Sequence, residues 1–201
     1  MIDRIANRAG RPLVEVPFGF KWFVDGLYSG ALGFAGEESA GSSLLRRDGS
    51  VWTTDKGGLA LGLLAAEITA HSGSDPNQAY DALMQEFGQF WYERIDALVA
   101  PEQMDVLRRA TADRISATEL AGEPIEAKLT TAPAGGEPFC GIKITTAGGW
   151  FAARPSGTEL IYKLYAESFR SADHLRAIQR EARTIIQGVF GRGQAAGDHG
   201  H

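Results

Sequence analysis

Arg154, Ser156 and Thr158 stand at alternate positions, with Pro155 and Gly157 between them, so a planar guanidinium and two hydroxyls are gathered in one short stretch. Those groups suit a phosphate. Arg154 offers a fork of N–H donors that matches phosphate oxygens, and the hydroxyls of Ser156 and Thr158 add directional partners. Gly157 leaves the backbone amides open to close approach, and Pro155 stiffens the entry. Strand-like runs flank the stretch, Trp150 to Ala153 and Ile161 to Ala166, so the donors would rest on a rigid base. Pro, Ser and Gly also build ordinary connecting turns, and the stretch alone leaves both readings open.

A second group of polar residues, Gly36-Glu37-Glu38-Ser39-Ala40-Gly41, follows the strand-like run Leu32 to Ala35. Two carboxylates and a hydroxyl at the carboxyl end of a strand stand where open α/β sheets bind ligands, although a solvated turn has the same composition. Lys56 opens an apolar helix, against the direction of the helix dipole, and so calls for a partner or a role. A net charge of -5 and a pI near 5.4, with no run of Lys or Arg, point away from nucleic acid and from anionic membranes as main partners. The single cysteine, Cys140, forms no internal disulfide and has no Cys/His cluster around it, which suggests a cytoplasmic setting and no metal site. His71 ends a helix, His199 and His201 lie in a Gly-rich tail, and no histidine is evident as a general base.

The elements that must position these groups divide near Gly88. Before it, Met1 to Asn7 reads as the end of a helix, Leu13 to Val16 as a strand, Lys21 to Tyr28 as a helix with Trp22, Phe23 and Leu27 inward, and Leu32 to Ala35 as a parallel strand. This β-α-β unit is too small a sheet to stand unaided, which suggests that further structure precedes it. A helix from Gly57 to Ala70 is apolar on nearly every side and is expected to be buried; Asp75-Pro76 caps another that ends at Phe87. After Gly88, Phe90 to Ile95, Ile125 to Thr131, Ile142 to Thr145, Trp150 to Ala153 and Ile161 to Ala166 read as strands, the later ones joined by turns too short for crossovers and therefore antiparallel. A helix from Pro101 to Asp113 lies between the first two strands, and another begins at Ser171 with Leu175, Ile178, Ala182, Ile185 and Val189 on one face. The expected fold is thus a partial βαβ-type α/β domain over 1–88 and a small antiparallel α+β phosphate-binding domain over 89–190. Residues 191–201 read as a disordered tail.

Taken together, Gly19-Phe20-Lys21, Gly36-Glu37-Glu38-Ser39, Thr54-Asp55-Lys56-Gly57 and Arg154-Pro155-Ser156-Gly157-Thr158 resemble the α-D-phosphohexomutase superfamily, and the string Phe20 to Leu27 resembles its bacterial glucose-specific phosphoglucomutase branch. Phe18 departs from that branch, whose members carry a smaller aliphatic residue there. The resemblance implies the end of the third, sugar-binding domain followed by the fourth, phosphate-binding domain. It implies that Glu37, Ser39, Gly19 and Lys21 contact the sugar, that Arg154, Ser156, Gly157, Thr158 and Lys163 hold a phosphate, and that Lys56 acts near the reacting hydroxyl. The implied reaction interconverts glucose 1-phosphate and glucose 6-phosphate through glucose 1,6-bisphosphate, with Mg2+. The family's phosphoserine string (Thr-Ala-Ser-His-Asn-Pro-like) and magnesium string (Asp-Gly-Asp-x-Asp-Arg-like) are not in this sequence. The resemblance therefore implies a catalytically incomplete chain whose partners are a hexose phosphate and the enzyme's N-terminal domains, with self-association through exposed apolar surface. A standalone, non-catalytic phosphosugar-binding module and a truncated reading frame stay open as alternatives.

Overall fold

The computed structural model describes residues 1–39, 41–133 and 135–197, with side chains through 192. Two compact units form, one from Val16 to Glu86 and the other from Met1–Glu15 together with the chain from Phe87 onward.

In the Val16–Glu86 unit a 3-10 turn, Phe20–Phe23, leads directly into the short helix α2 (Val24–Tyr28). The expected continuous helix is therefore broken into two forms. Three residues per turn put Phe20 and Phe23 on one side, with their rings edge-on at 5.3 Å. Phe20 is buried with Leu27 and Ala35, while Trp22, expected inward, is exposed. Strand β1 (Phe34–Gly36) pairs with β2 (Ser42–Leu44) in antiparallel register, Phe34 opposite Leu44 and Gly36 opposite Ser42. This corrects the parallel β-α-β expectation: the Glu37–Gly41 connection is too short for a crossover, and the backbone folds straight back. Leu13–Val16 is not a strand either, since that segment has no ladder partner and is flanked by prolines that cannot donate to one.

Helix α3 (Gly58–Ser72) ends at Gly73, whose φ of 69° supplies the left-handed cap. Contrary to expectation it contains no buried residue, and Leu59 and Leu63 are 89% and 72% exposed. Its apolar periphery packs against β2 and otherwise faces outward within this unit. Helix α4 (Pro76–Phe87) begins with a reciprocal cap, in which the Gln78 amide N–H donates to Asp75 Oδ1 and the Asp75 N–H donates to Gln78 Oε1, each at 2.9 Å.

The other unit opens with α1 (Ile2–Arg8). Its five-stranded sheet has the order β3-β9-β8-β7-β6, built from β3 (Trp91–Leu98), β6 (Ala127–Thr131), β7 (Pro138–Thr146), β8 (Gly149–Pro155) and β9 (Ile161–Ser168), all neighbours antiparallel. A two-stranded hairpin, β4 (Glu119–Leu120) and β5 (Glu123–Pro124), turns through Ala121 and Gly122, both at positive φ as such tight turns require. Helix α5 spans Pro101–Arg108. It stops short of the expected Asp113. Helix α6 runs from Ala172 to Gly197. Residues 191–197 are therefore helical rather than a disordered tail, and the rest of that expectation, with His199 and His201, lies outside the described residues.

Side chains alternate across the strands, so Ile142 and Ile144 of β7, Phe151 and Ala153 of β8, and Tyr162, Leu164 and Ala166 of β9 point to one face. There they meet Leu175, Ile178, Ala182, Ile186 and Val189 of α6, and Leu107 of α5. Burying a Leu- or Ile-sized side chain is worth about 1.5–3 kcal/mol, and this face supplies the unit's stability. The opposite face carries Arg154, Lys163 and Tyr165, which the same alternation leaves for polar work.

Candidate functional site

The two polar groups singled out in the sequence fall in different units. In the Val16–Glu86 unit the Glu37–Gly41 loop joins β1 to β2 and is closed by the Glu37 N–H donating to Gly41 O at 2.8 Å. The segment leading to α3 is tied to β2: the Ser43 hydroxyl donates to Thr53 O, and the Gly57 N–H donates to Ser42 O at 2.9 Å. Asp55 Oδ1 accepts the Lys56 N–H at 2.8 Å, and Thr53 Oγ1 accepts the Asp55 N–H at 3.1 Å. This anchoring sends the Lys56 side chain back over the loop, where Nζ lies 2.6 Å from Glu37 Oε2. Gly41 makes the crossing possible, since a Cβ there would fall 2.5 Å from Lys56 Cδ. The Ser39 hydroxyl donates to the same Glu37 oxygen at 3.4 Å.

Glu37, Ser39 and Lys56 thus converge although Lys56 is remote in sequence. The pair is only partly covered, with side-chain exposures of 47% for Lys56 and 22% for Glu37. A pair of that exposure is worth about 0–1 kcal/mol, so an incoming hydroxyl can displace it at little cost. Upstream, Gly19 adopts φ 112°, a conformation that side-chain-bearing residues rarely take, and buried Phe20 pins the turn beside it. Lys21 places Nζ 5.0 Å from the Trp22 ring centroid.

In the sheet-containing unit the Arg154–Thr158 stretch is the end of the β8–β9 hairpin. The Ser156 N–H donates to Ile161 O at 2.9 Å, closing the loop, and the Thr158 N–H donates to Ser156 Oγ at 3.4 Å. Ser156 is buried. Arg154 lies opposite Lys163 in register, so both side chains rise from the same sheet face. Nothing lies within 4 Å of a Cβ built on Gly157. Gly157 also has no positive φ. Neither neighbours nor backbone conformation demand a glycine there.

Two features of this unit were not read from the sequence. Tyr165 stands beside Arg154, its hydroxyl accepting from Arg154 Nη2 at 3.2 Å. Its position two residues after Lys163, on the same strand face, is the signal that could have found it. The other is a network around Glu123, whose Oε2 accepts the Gly148 N–H at 2.7 Å and whose Oε1 pairs with Arg170. His174 Nε2 lies 4.0 Å away, and its Nδ1 is 2.9 Å from Ser168 Oγ. Burial alone would raise the Glu123 carboxyl, but the Thr146 hydroxyl, the Gly148 N–H, Arg170 and His174 together hold it below the ordinary carboxylate range. The network ties the β7–β8 turn to the start of α6, and no sequence spacing announces it.

With these geometries in view, residues 1–87 match the family described as phosphoglucomutase/phosphomannomutase, alpha/beta/alpha domain III. Beyond that domain match, the whole chain resembles members of the phosphoglucomutase/phosphomannomutase family. It is 58% identical over 192 residues to a phosphoglucomutase of Komagataeibacter xylinus, an alignment covering 96% of this chain and 35% of that protein. Its backbone superposes on the crystal structure of a phosphoglucomutase/phosphomannomutase family protein from Burkholderia thailandensis with a TM-score of 0.64 at 20% identity, over 94% of this chain and 35% of that one. That likeness concerns the fold. The chain spans about a third of the length of both relatives.

Proposed function

We propose that this chain supplies the sugar- and phosphate-holding part of a phosphoglucomutase that interconverts glucose 1-phosphate and glucose 6-phosphate through glucose 1,6-bisphosphate. In this reading residues 1–88 are the C-terminal part of the third domain and residues 89–190 the fourth. The observation that carries it is the Arg154–Thr158 hairpin end: a guanidinium, two hydroxyls and an uncrowded Gly157 on a closed, sheet-supported loop.

Arg154, Ser156, Gly157 and Thr158, with Lys163 on the adjoining strand, hold the phosphate that is not being transferred. Glu37 and Ser39 take sugar hydroxyls, and Gly19 and Lys21 line the same substrate. Lys56, released from Glu37 as the sugar enters, sits by the reacting hydroxyl and offsets its charge or moves its proton. These roles are positioning, which accelerates a transfer by fixing reactants in line. Among the described residues no three His, Cys, Asp or Glu side chains are grouped to hold a cation, so the residues here do not fit Mg2+. Nucleophile and metal belong to the enzyme's N-terminal domains, the natural partner of this chain, and the exposed apolar face of α3 makes self-association its fate when alone. No described helix is long and apolar enough to cross a membrane. The cytoplasm is the proposed location.

The test is to join this chain to the N-terminal remainder of the Komagataeibacter xylinus phosphoglucomutase and follow glucose 1-phosphate conversion. The joined protein should turn over, and Arg154→Ala should lower kcat/KM roughly tenfold or more, the worth of one lost charge-assisted hydrogen bond. Full activity in the Arg154→Ala protein would overturn the assignment.

A further inference from the structure

We propose that Tyr165 is the positioning residue of the phosphate loop, aiming the Arg154 guanidinium at the ligand through its phenol oxygen and the face of its ring; this rests on the phosphate-holding reading of the loop. An arginine has many rotamers even where it is half-buried, as Arg154 is, and a bidentate grip on a planar pair of oxygens needs one of them. Three observations show how this one is held. Tyr165 is itself only 7% exposed, so its ring is fixed by the sheet and its neighbours before any ligand arrives. The phenol oxygen accepts from Arg154 Nη2 at 3.2 Å, while the guanidinium carbon lies 5.9 Å from the ring centroid, within the range of a cation–π contact.

The third is the backbone beneath. Tyr165 pairs with Ala152 and Lys163 with Arg154, which sets Tyr165 diagonally across from the arginine on the polar sheet face. From the other side β7 presses in at Gly141, where an added Cβ would lie 2.3 Å from Ala153 O and 3.1 Å from both Cα and Cβ of Arg154. The stem of Arg154 is therefore set by close contact and its head by Tyr165. One N–H spent on the phenol fixes the plane of the fork, and Nη1 stays near the loop base, 3.5 Å from Pro155 O. Lys163, beside it in register, has no such guide among the described residues and contributes charge rather than direction.

The experiment titrates inorganic phosphate into the full chain and into Tyr165→Phe, Arg154→Ala and the double variant, reading Kd from the amide shift of Gly157 and the orientation of the guanidinium from the Arg154 Nε–H resonance. Tyr165→Phe keeps the ring and removes only the acceptor, so it should fold with an unchanged melting temperature, shift the Arg154 Nε–H signal and weaken phosphate roughly three- to tenfold. In the Arg154→Ala background the same change should do nothing further, which a general structural role would not predict. Wild-type affinity in Tyr165→Phe, with affinity lost in Arg154→Ala, would overturn the positioning role alone. Equal losses from Tyr165→Phe in both backgrounds would do the same. Wild-type affinity in Arg154→Ala would overturn the phosphate reading itself, and this role with it.

Discussion

Glu37 and Lys56 neutralise one another across a 2.6 Å contact that is weak because it is half in water. Removing either side chain disturbs little of the core, since neither belongs to the buried cluster of Phe20, Leu27 and Ala35. In the joined enzyme, Glu37→Ala should therefore raise KM or lower kcat for glucose 1-phosphate while leaving the melting temperature nearly unchanged. Parallel losses of stability and activity, with unaltered affinity for the sugar, would mark Glu37 as structural. Glu123 is the contrasting case. Its carboxyl is held below the ordinary value of 4.5, so its contribution to stability is complete above that pH and is lost as pH falls toward the lowered value. Glu123→Gln should destabilise the chain by about 1.5–3 kcal/mol at neutral pH, the worth of hydrogen bonds to a charged group. Thermal unfolding should show that gap closing as pH drops below 4.5. A gap independent of pH would contradict the assignment.

Elements were legible where neighbours in sequence are neighbours in space. The alternation of Ile142, Ile144, Phe151, Ala153, Leu164 and Ala166 gave the antiparallel hairpins and their buried face, because short turns leave no other pairing. The amphipathic stripe of α6 was legible for the same local reason. Errors arose where structure depends on what an element meets. Leu13 to Val16 has the apolar, β-branched composition of a strand yet has no ladder among the described residues, and its Glu15 instead pairs with Lys143 at 2.7 Å across a long stretch of sequence. Helix α3 has the composition of a buried helix, but composition does not say what covers it. In the candidate site, residue types alone singled out the Arg154 stretch without separating a phosphate loop from a plain turn, whereas the convergence of Lys56 on Glu37 depends on Ser42 and Ser43 anchoring a distant segment.

Gly141 sits where β7 meets β8. Its close approach to Ala153 O leaves no room for a methyl group, so Gly141→Ala should cost about 1–3 kcal/mol through displaced strands. Denaturant titration reads this directly, and a change within about 0.5 kcal/mol would show that the β7–β8 contact yields easily.

At the scale of the molecule the two units differ in how completely they are packed. The sheet of β3 and β6 to β9 is covered on one face by α5 and α6 with a continuous core. The Val16–Glu86 unit has a small core and leaves Leu59, Leu63, Phe34 and Trp52 exposed. Hydrogen exchange should be faster throughout residues 16–86 than in β7, β8, β9 and α6, because opening the first unit uncovers less apolar area. Sedimentation should show the chain associating as concentration rises, and Leu59→Ser with Leu63→Ser should reverse it. Uniform protection and a monomer at all concentrations would contradict this picture of an incompletely covered unit.

Whether the β8–β9 hairpin end holds a phosphate of a hexose phosphate is tested most directly by titrating glucose 6-phosphate into the chain and into Arg154→Ala while recording backbone amide shifts. Saturable shifts centred on Ser156, Gly157 and Thr158 are expected, weakened roughly tenfold or more in Arg154→Ala. Shifts that are absent there, or identical in the two proteins, would contradict it.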